Sequence, residues 1–263
     1  MPGRPEPLRR LISPAMTGAP RSNGPGPIAL VGSGEFLPAM EAVDAGLLAG
    51  RPARAVFLPT AAGQEGPDRV DYWIRLGTEH YRRLGVEPVP LTVLDRRAAG
   101  DPANAALVAG AGLVYLSGGN PGYLADTLRD TPVLEAIRAA WRAGAALAGC
   151  SAGACALTEV ADDVRTGETR PGLAVVPGLA VLPHFDRIEG WRPGIVTRRA
   201  AELAPGLTLV GIDEDTALVG AGDGWRVEGR GKVWVVMPDG IRAGHAAGAT
   251  LQFQAANRTG PKN

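Results

Sequence analysis

The sequence lacks the features that would direct a protein to a membrane, to an oxidising compartment or to nucleic acid. It has only two cysteines in 263 residues, and its 27 Lys and Arg balance its 27 Asp and Glu. Balanced charge gives no electrostatic reason to expect a nucleic acid or an anionic membrane as partner. No apolar run approaches the roughly 20 residues that a membrane-spanning helix needs. Scarce cysteine favours a cytoplasmic location.

Histidine is also scarce, which limits the number of side chains that could serve as a base or a metal ligand. The three histidines are His80, His184 and His245, and the two cysteines are Cys150 and Cys155. Three scattered histidines and two cysteines at the same turn do not form a plausible set of zinc ligands. We therefore expect no metal and no cofactor, and any histidine base must be one of these three.

The composition of the two ends predicts that a single domain occupies residues 27–250. Residues 1–26 are rich in proline and glycine and contain no sustained apolar run, which is typical of a disordered tail and not of a secretory signal. Residues from 251 onward become a polar tail. We see no internal repeat between these ends.

Apolar strands alternate with helical stretches along the domain. Strands are expected at 27–31, 53–59, 89–94, 112–116, 145–149, 173–182 and 207–212. Helices are expected at 38–49, 67–84, 102–109, 122–129, 132–143 and 192–204. Such alternation predicts an α/β fold, with a mostly parallel sheet flanked by helices on both faces. Short antiparallel strands separated by glycine-rich turns are expected at the C-terminal end, at 217–219, 225–227 and 232–237.

Residues 149–153, Gly-Cys-Ser-Ala-Gly, fit the G-x-S-x-G pattern of a nucleophile elbow. Small neighbours permit a sharp strand-to-helix turn that lifts the serine hydroxyl clear of the backbone. The serine would also lie at a helix N-terminus, where free N–H groups favour negative charge. A plain turn of small residues fits the same five letters. Ser151 is therefore a candidate nucleophile whose partners must be found elsewhere.

His184 is the histidine best placed to serve such a serine, which needs a general base oriented by a carboxylate. It follows an apolar strand downstream of the elbow, although a buried histidine bonded to backbone is the alternative. His80 lies on a predicted helix, where it faces solvent or packs, and His245 lies in a Gly/Ala-rich segment. The next strand ends in three acids, and spacing alone does not choose among Asp213, Glu214 and Asp215.

A second stretch, Ser-Gly-Gly-Asn-Pro-Gly at 117–122, follows the strand before the elbow. Adjacent glycines let a backbone approach a ligand closely and direct N–H groups toward it. A turn in which Asn-Pro starts the next helix fits equally well. An acyl-transfer site needs two N–H donors for the tetrahedral oxygen. Ala152, directly after the serine, and Gly119 are the natural donors.

Four motifs together resemble one known family. They are Gly-Gly-Asn at 118–120, Gly-x-Ser-Ala-Gly-Ala at 149–154, Pro-His-Phe at 183–185 and Gly-Ile-Asp-Glu-Asp-Thr-Ala-Leu at 211–218. Their order is similar to that in the cyanophycinase and aspartyl dipeptidase (peptidase E) family of serine peptidases. That family has a fold similar to the class I glutamine amidotransferases. The resemblance covers residues from about 28 to about 237.

The resemblance implies a hydrolase with a Ser-His-Glu triad. Ser151 would be the nucleophile, His184 the base and Glu214 the residue that orients the base. Asp213, adjacent in sequence, is the competing choice for that last role. The N–H groups of Gly119 and Ala152 would form the oxyanion hole.

The resemblance also implies a small peptide or other aspartyl-containing substrate, whose acidic group should meet a cation. Arg187, three residues past His184, is the first candidate; the others are Arg192, Arg165 and Arg170. Asn120 is expected to help bind the substrate. Residues 118–121 read Gly-Gly-Asn-Pro, where cyanophycinases tend to carry Gly-Gly-Asp-Gln, and so are closer to peptidase E. Other motifs are closer to cyanophycinase, which leaves open the choice between α-aspartyl dipeptides and a β-aspartyl-arginine polymer.

Two alternatives to a serine peptidase remain at this point. Cys150 could be the nucleophile, as in glutamine amidotransferases, but the glycines bracket Ser151 and place Cys150 on the strand. The chain could also be a non-catalytic relative that binds a small molecule or peptide, because a fold does not guarantee an activity. A homodimer is compatible with the sequence, which identifies no surface for it.

Overall fold

The computed structural model describes residues 24–221 and 224–253. Nearly all of the tail expected at 1–26, and the part of the C-terminal tail beyond residue 253, lie outside these ranges. No helix in the described part of the chain is long and apolar enough to cross a membrane.

The described residues form fourteen strands and nine α-helices. The strands are β1 (Ile28–Val31), β2 (Arg54–Leu58), β3 (Glu87–Pro90), β4 (Leu113–Leu116), β5 (Ala146–Cys150), β6 (Val160–Asp162), β7 (Thr169–Pro171), β8 (Leu179–Leu182), β9 (Thr208–Ile212), β10 (Thr216–Ala221), β11 (Gly224–Gly229), β12 (Lys232–Val236), β13 (Arg242–Ala246) and β14 (Thr250–Gln252). The helices are α1 (Glu41–Leu48), α2 (Pro67–Arg83), α3 (Arg96–Ala99), α4 (Pro102–Ala106), α5 (Pro121–Leu128), α6 (Pro132–Arg142), α7 (Ala152–Leu157), α8 (Phe185–Trp191) and α9 (Ile195–Glu202).

Eight strands form the main sheet, in the order β14-β11-β10-β1-β5-β4-β2-β3. The neighbouring strands β1, β5, β4, β2 and β3 are parallel to one another. Beyond β1, the strands β10, β11 and β14 extend the sheet with antiparallel pairings. β1, β4 and β5 are buried along their whole length, as expected for parallel strands covered on both faces. The predicted α/β fold with C-terminal antiparallel strands is confirmed.

Helices cover both faces of this sheet because successive side chains of a strand point to opposite faces. On one face, alternate residues such as Val31 and Tyr115 pack with Met40 and Tyr81 under α1 and α2. On the other face, alternate strand residues such as Leu30 pack beneath α5, α6 and α7. Capping side chains at four helix starts accept backbone N–H groups, and these are Asp95, Asp101, Asn120 and Thr131.

A second sheet, in the order β13-β12-β9-β8, is a feature that the strand pattern did not reveal. β8 and β9 are parallel to each other, and β12 is antiparallel to β9. Val181 and Val210 of this sheet belong to the same apolar core as Leu30 of the main sheet. Its other face packs on α8 and α9, through residues such as Phe185 and Val196. The two sheets therefore share one apolar core.

Several predicted boundaries are wrong. The apolar stretch expected as a strand at 173–182 is a strand only from Leu179, where β8 begins. The strand expected at 89–94 ends at Pro90, because the N–H of Val93 bonds to the carbonyl of Leu91 and turns the chain away from the sheet. The polar tail expected from residue 251 begins inside β14. There Leu251 is buried opposite Trp225, so residues 251 and 252 belong to the main sheet.

Candidate active site

Ser151 occupies a strained turn between β5 and α7. Its backbone has φ 49° and ψ −103°, a combination that is unfavourable for a residue with a Cβ and costs of order 1–3 kcal/mol. Neither neighbouring glycine has room for a side chain: a Cβ on Gly149 would overlap the carbonyl carbon of Gly153, and one on Gly153 would overlap the carbonyl oxygen of Leu116. The two glycines of the sequence pattern therefore permit the close contact between strand and helix.

His184 connects the second sheet to this turn. It directly precedes α8 in the left-handed conformation, with φ 50° and ψ 39°. Its N–H donates to the carbonyl of Gly32 at the end of β1, at 3.3 Å. Its side chain places Nε2 3.1 Å from Ser151 Oγ and Nδ1 2.8 Å from Glu214 Oε1. The structure thus brings together the serine, histidine and glutamate that the sequence singled out.

The three acids after β9 have different partners, which separates their roles. Asp213 is buried, and its carboxylate accepts the N–H of Lys232 and the indole N–H of Trp234, each at 2.9 Å. Asp215 lies 3.5 Å from Arg230. Only Glu214 of the three contacts His184 among the described residues.

Asp186 holds this glutamate in place. It lies two residues after the histidine, and its Oδ1 accepts the backbone N–H of Glu214 at 2.9 Å. The segments that carry the imidazole and the carboxylate are therefore joined by a second hydrogen bond. Sequence reasoning did not single out Asp186.

The other two histidines lie away from the elbow. His80 is fully buried, with Nε2 2.7 Å from Asp44 Oδ2, so of the two alternatives stated for it, the one in which it packs is correct. Burial raises the pKa of Asp44 above its ordinary value, although the hydrogen bond to His80 acts in the opposite direction. His245 lies on β13, paired with Val233 in the second sheet.

Among the described residues, no protein group accepts the N–H of Gly119 or of Ala152, so both can donate a hydrogen bond to a ligand oxygen. Ala152 is the first residue of α7, so its N–H has no partner in the helix ladder. Gly119 has φ 139°, and its N–H donates to no protein group in the described ranges. The neighbouring N–H of Gly118 is already bonded, to Glu35 Oε1 at 2.9 Å. Gly119, not Gly118, thus offers the donor on this turn.

The expectation that Asn120 helps to bind the substrate is not met by its contacts. It is 3% exposed, and its amide donates to Gln64 Oε1 at 3.2 Å and to Asp163 Oδ1 at 3.1 Å. Its carbonyl oxygen accepts the backbone N–H of Tyr123 at 3.3 Å and that of Val164 at 3.4 Å. An amide side chain has two donor hydrogens and one oxygen acceptor, so these bonds use its capacity. The side chain holds loops together, and is not available to bind substrate directly.

Arg187 lies beside the histidine–glutamate pair. Its Nε is 3.6 Å from Glu214 Oε2 and 3.3 Å from Asp186 Oδ2, and its side chain is 62% exposed. Arg170 instead forms ion pairs with Asp126, Asp163 and Glu168. Of these two arginines, Arg187 is the one that lies beside the His184–Glu214 pair.

Cys150 lacks the environment of a nucleophile. Burial, followed by the nearby carboxylate of Glu35, raises the pKa of its thiol well above the ordinary value. The thiol donates to Glu35 Oε2 at 2.8 Å on the strand side of the elbow. A protonated, buried thiol is a poor nucleophile, so the cysteine alternative loses its support.

Two further residues at the site were missed from the sequence. Trp191 is 61% exposed, and its ring centroid lies 5.3 Å from that of His184. Glu35 contacts both the elbow strand and the glycine turn. Among the described residues, no group of three or more His, Cys, Asp or Glu is arranged to hold a metal ion.

The chain is similar to several known proteins. The chain is 35% identical over 172 residues to the cyanophycinase of Trichormus variabilis, a match that covers 60% of this chain and 56% of that protein. The chain thus spans a little over half the length of this curated relative.

Two solved structures are also similar. A peptidase from an acI-B1 Actinobacterium has a TM-score of 0.81 and 37% identity, over 89% of this chain and 99% of that one. A putative peptidase E protein from Listeria monocytogenes shares the fold, with a TM-score of 0.57 and 19% identity over 78% of this chain and 98% of that one. The model of Peptidase family S51 matches residues 28–227. The chain belongs to peptidase family S51.

Proposed function

We propose that the protein hydrolyses peptide bonds, with Ser151 as nucleophile, His184 as general base and Glu214 as the group that orients the base. The observation that carries the proposal is the continuous contact from Ser151 Oγ to His184 Nε2, at 3.1 Å, and from His184 Nδ1 to Glu214 Oε1, at 2.8 Å. Membership of family S51 supports it.

In the proposed mechanism the imidazole moves a proton twice. His184 Nε2 takes the proton of Ser151 Oγ as the oxygen attacks the carbonyl carbon, and then gives it to the leaving amine. A water molecule, deprotonated by the same nitrogen, hydrolyses the acyl-enzyme and frees the serine. Glu214 accepts the N–H on Nδ1, so that Nε2 is the basic nitrogen, and stabilises the imidazolium that forms. The imidazole and carboxylate side chains are 27% and 33% exposed, which leaves the pair open to substrate and water.

The tetrahedral intermediate would place its oxygen between the N–H groups of Gly119 and Ala152. Donors that are fixed before the reaction stabilise developing charge without reorganising, and each such donor contributes about 10²–10³ in kcat. The positive end of the α7 backbone adds to the same field, although a helix of six residues makes this contribution small.

For the substrate we propose a peptide with an aspartyl residue at the cleaved bond. Arg187 would bind its carboxylate, because its exposed guanidinium lies beside Glu214 and retains donors beyond those in the observed contacts. Similarity to a protein named cyanophycinase supports this class. The cytoplasmic location and the homodimer stay predictions from the sequence.

A panel of substrates tests the function. Purified protein and its Ser151→Ala variant would be assayed on α-aspartyl dipeptides, a β-aspartyl-arginine polymer and matched neutral dipeptides. We expect cleavage of one aspartyl class and a loss of about 10⁴-fold or more in the variant. His245→Ala, outside the site, is the control and should retain full rate. Equal rates for wild type and Ser151→Ala would disprove the proposal.

A further inference from the structure

Glu35 is a buried carboxylate at the candidate site to which the proposed mechanism gives no role. It follows β1 and is 5% exposed. Its Oε1 accepts the N–H of Gly118 at 2.9 Å, and its Oε2 accepts the thiol of Cys150 at 2.8 Å. Gly118 precedes one oxyanion donor, Gly119, and Cys150 precedes Ser151. One carboxylate therefore joins the two segments between which the oxyanion would lie.

The contact with Gly118 restricts the peptide unit that carries the Gly119 N–H. The preceding peptide unit is anchored because the N–H of Gly118 donates to Glu35. The following unit is anchored because the N–H of Asn120 donates to the carbonyl of Ala61 at 2.9 Å. The anchored neighbours fix the two Cα atoms between which this planar unit lies, and the close approach of Gly119 to the Ala61 backbone leaves the unit little room to rotate. The direction of the Gly119 N–H thus depends on both anchors.

The turn also lies so close to the elbow that small shifts matter. A Cβ built on Gly118 would be 2.8 Å from Glu35 Oε1 and 3.7 Å from the Cβ of Ser151. The Glu35 carboxylate and the Ser151 side chain therefore both lie next to the Gly118 backbone. A misplacement of about 1 Å at a reacting centre can lower a rate by about 10²-fold.

The Cys150 thiol is chemically suited to complete the anchor. Because the pKa of this thiol is raised by burial and by Glu35, the sulfur keeps its proton at neutral pH and can donate it. An ionised carboxylate only accepts hydrogen bonds, and here each of its oxygens faces a protein donor. The cysteine at the elbow thus acts as a hydrogen-bond donor.

We propose that Glu35 is a positioning residue that aligns the Gly119 N–H with the Ser151 elbow, so that the oxyanion hole is formed before substrate binds. The inference rests on the proposed function, since an oxyanion arises only if Ser151 attacks a carbonyl. Oxyanion donors act chiefly in the transition state. Loss of the anchor therefore lowers kcat and leaves KM nearly unchanged.

The test compares Glu35→Ala with Glu35→Gln. The alanine variant removes both contacts, whereas glutamine keeps an oxygen that can accept the Gly118 N–H. We expect kcat to fall about 10- to 100-fold in Glu35→Ala, with KM within about twofold of wild type, and Glu35→Gln to recover most of the rate. Glu41→Ala, which removes a surface carboxylate paired with Arg83, is the control and should behave as wild type.

Amide hydrogen exchange provides a second readout that does not need activity. Deuterium uptake over residues 117–121 should be faster in Glu35→Ala than in wild type, while uptake over β2 stays the same. Should Glu35→Ala fail to fold, Cys150→Ala removes one of the two donors and should lower kcat by a smaller factor. A kcat within twofold of wild type in Glu35→Ala, unchanged exchange at 117–121, or a full rate in Cys150→Ala would overturn the inference. Equal activity of wild type and Ser151→Ala would instead mark failure of the proposed function, and exchange would then report on the anchor alone.

Discussion

The molecule contains two histidine–carboxylate pairs with nearly the same contact and different surroundings. His80 and Asp44 meet at 2.7 Å, and His184 and Glu214 meet at 2.8 Å. The side chains of the first pair are 0% and 1% exposed, whereas those of the second are 27% and 33% exposed. The distance between histidine and carboxylate therefore does not distinguish a structural pair from a candidate catalytic one.

The two pairs differ in the contacts of the imidazole nitrogen that does not face the carboxylate. His80 Nδ1 has no hydrogen-bond partner among the described residues, and the ring is packed against Phe36 and Tyr81. His184 Nε2 contacts the Ser151 hydroxyl beside an exposed tryptophan. A general base needs both a proton to accept and access for the substrate. Only the second pair has both.

Disruption of the His184–Glu214 pair should have the largest effect on catalysis. Glu214→Gln removes the charge that orients the imidazole and stabilises its protonated form, so we expect kcat to fall by about 10²–10⁴-fold with little change in the free energy of unfolding. Steady-state kinetics on the substrate cleaved by wild type would measure this. Asp213→Asn is the matched control: since Asp213 bonds Lys232 and Trp234, it should affect stability more than rate. The reverse order would assign the orienting role to Asp213.

Disruption of the His80–Asp44 pair should lower the stability of the protein and leave catalysis unchanged. His80→Ala leaves Asp44 buried without its partner, and a buried polar group that loses its hydrogen bond costs about 1–3 kcal/mol, or more where it is charged. Urea denaturation would measure the change in the free energy of unfolding. The folded fraction should keep the kcat of wild type. A loss below about 1 kcal/mol, or a kcat that falls as in Glu214→Gln, would contradict the structural role.

The smallest effect on activity is expected from alkylation of the two thiols. Cys150 and Cys155 are buried like the His80–Asp44 pair, but they lie close in sequence to Ser151 at the candidate site. The pKa of Cys150 is raised well above its ordinary value and burial raises that of Cys155 to about 12. A raised pKa keeps each thiol protonated, so the reactive thiolate stays scarce as the pH rises from 7 to about 9. Iodoacetamide should leave activity unchanged over this range, while a serine-directed phosphonate abolishes it. Rapid inactivation by the alkylator would restore the cysteine alternative.

Local patterns in the sequence predicted the alternation of strands and helices and the small-residue turn at Ser151. These features depend on neighbouring residues: runs of apolar side chains, capping residues and glycines that allow close contact. His184 was identified because few histidines exist and one follows an apolar strand. The role of Asp213 could not be predicted in the same way, because its partner Trp234 is 21 positions away and lies on a strand of the second sheet.

Longer-range contacts also determine the hydrogen-bond partners of Asn120 and Glu35. Asn120 has the residue type of a substrate ligand, yet Asp163, 43 positions away, uses one of its donors. Glu35 contacts Cys150 across 115 positions, a separation at which no local pattern carries information. A second sheet escaped notice for a similar reason: alternation of apolar residues shows that a strand is buried, and not which strand lies beside it.

The sequence by itself determined the strand–turn–helix at Ser151, the short supply of histidines and cysteines, and the family motifs. The tertiary structure decided which groups meet. Ser151 follows a strand of the main sheet, whereas His184 and Glu214 follow two parallel strands of the second sheet. The three side chains come together because the sheets share one apolar core and the N–H of His184 bonds to Gly32. Packing between sheets depends on the shape of both surfaces at once, and no single stretch of sequence encodes that shape.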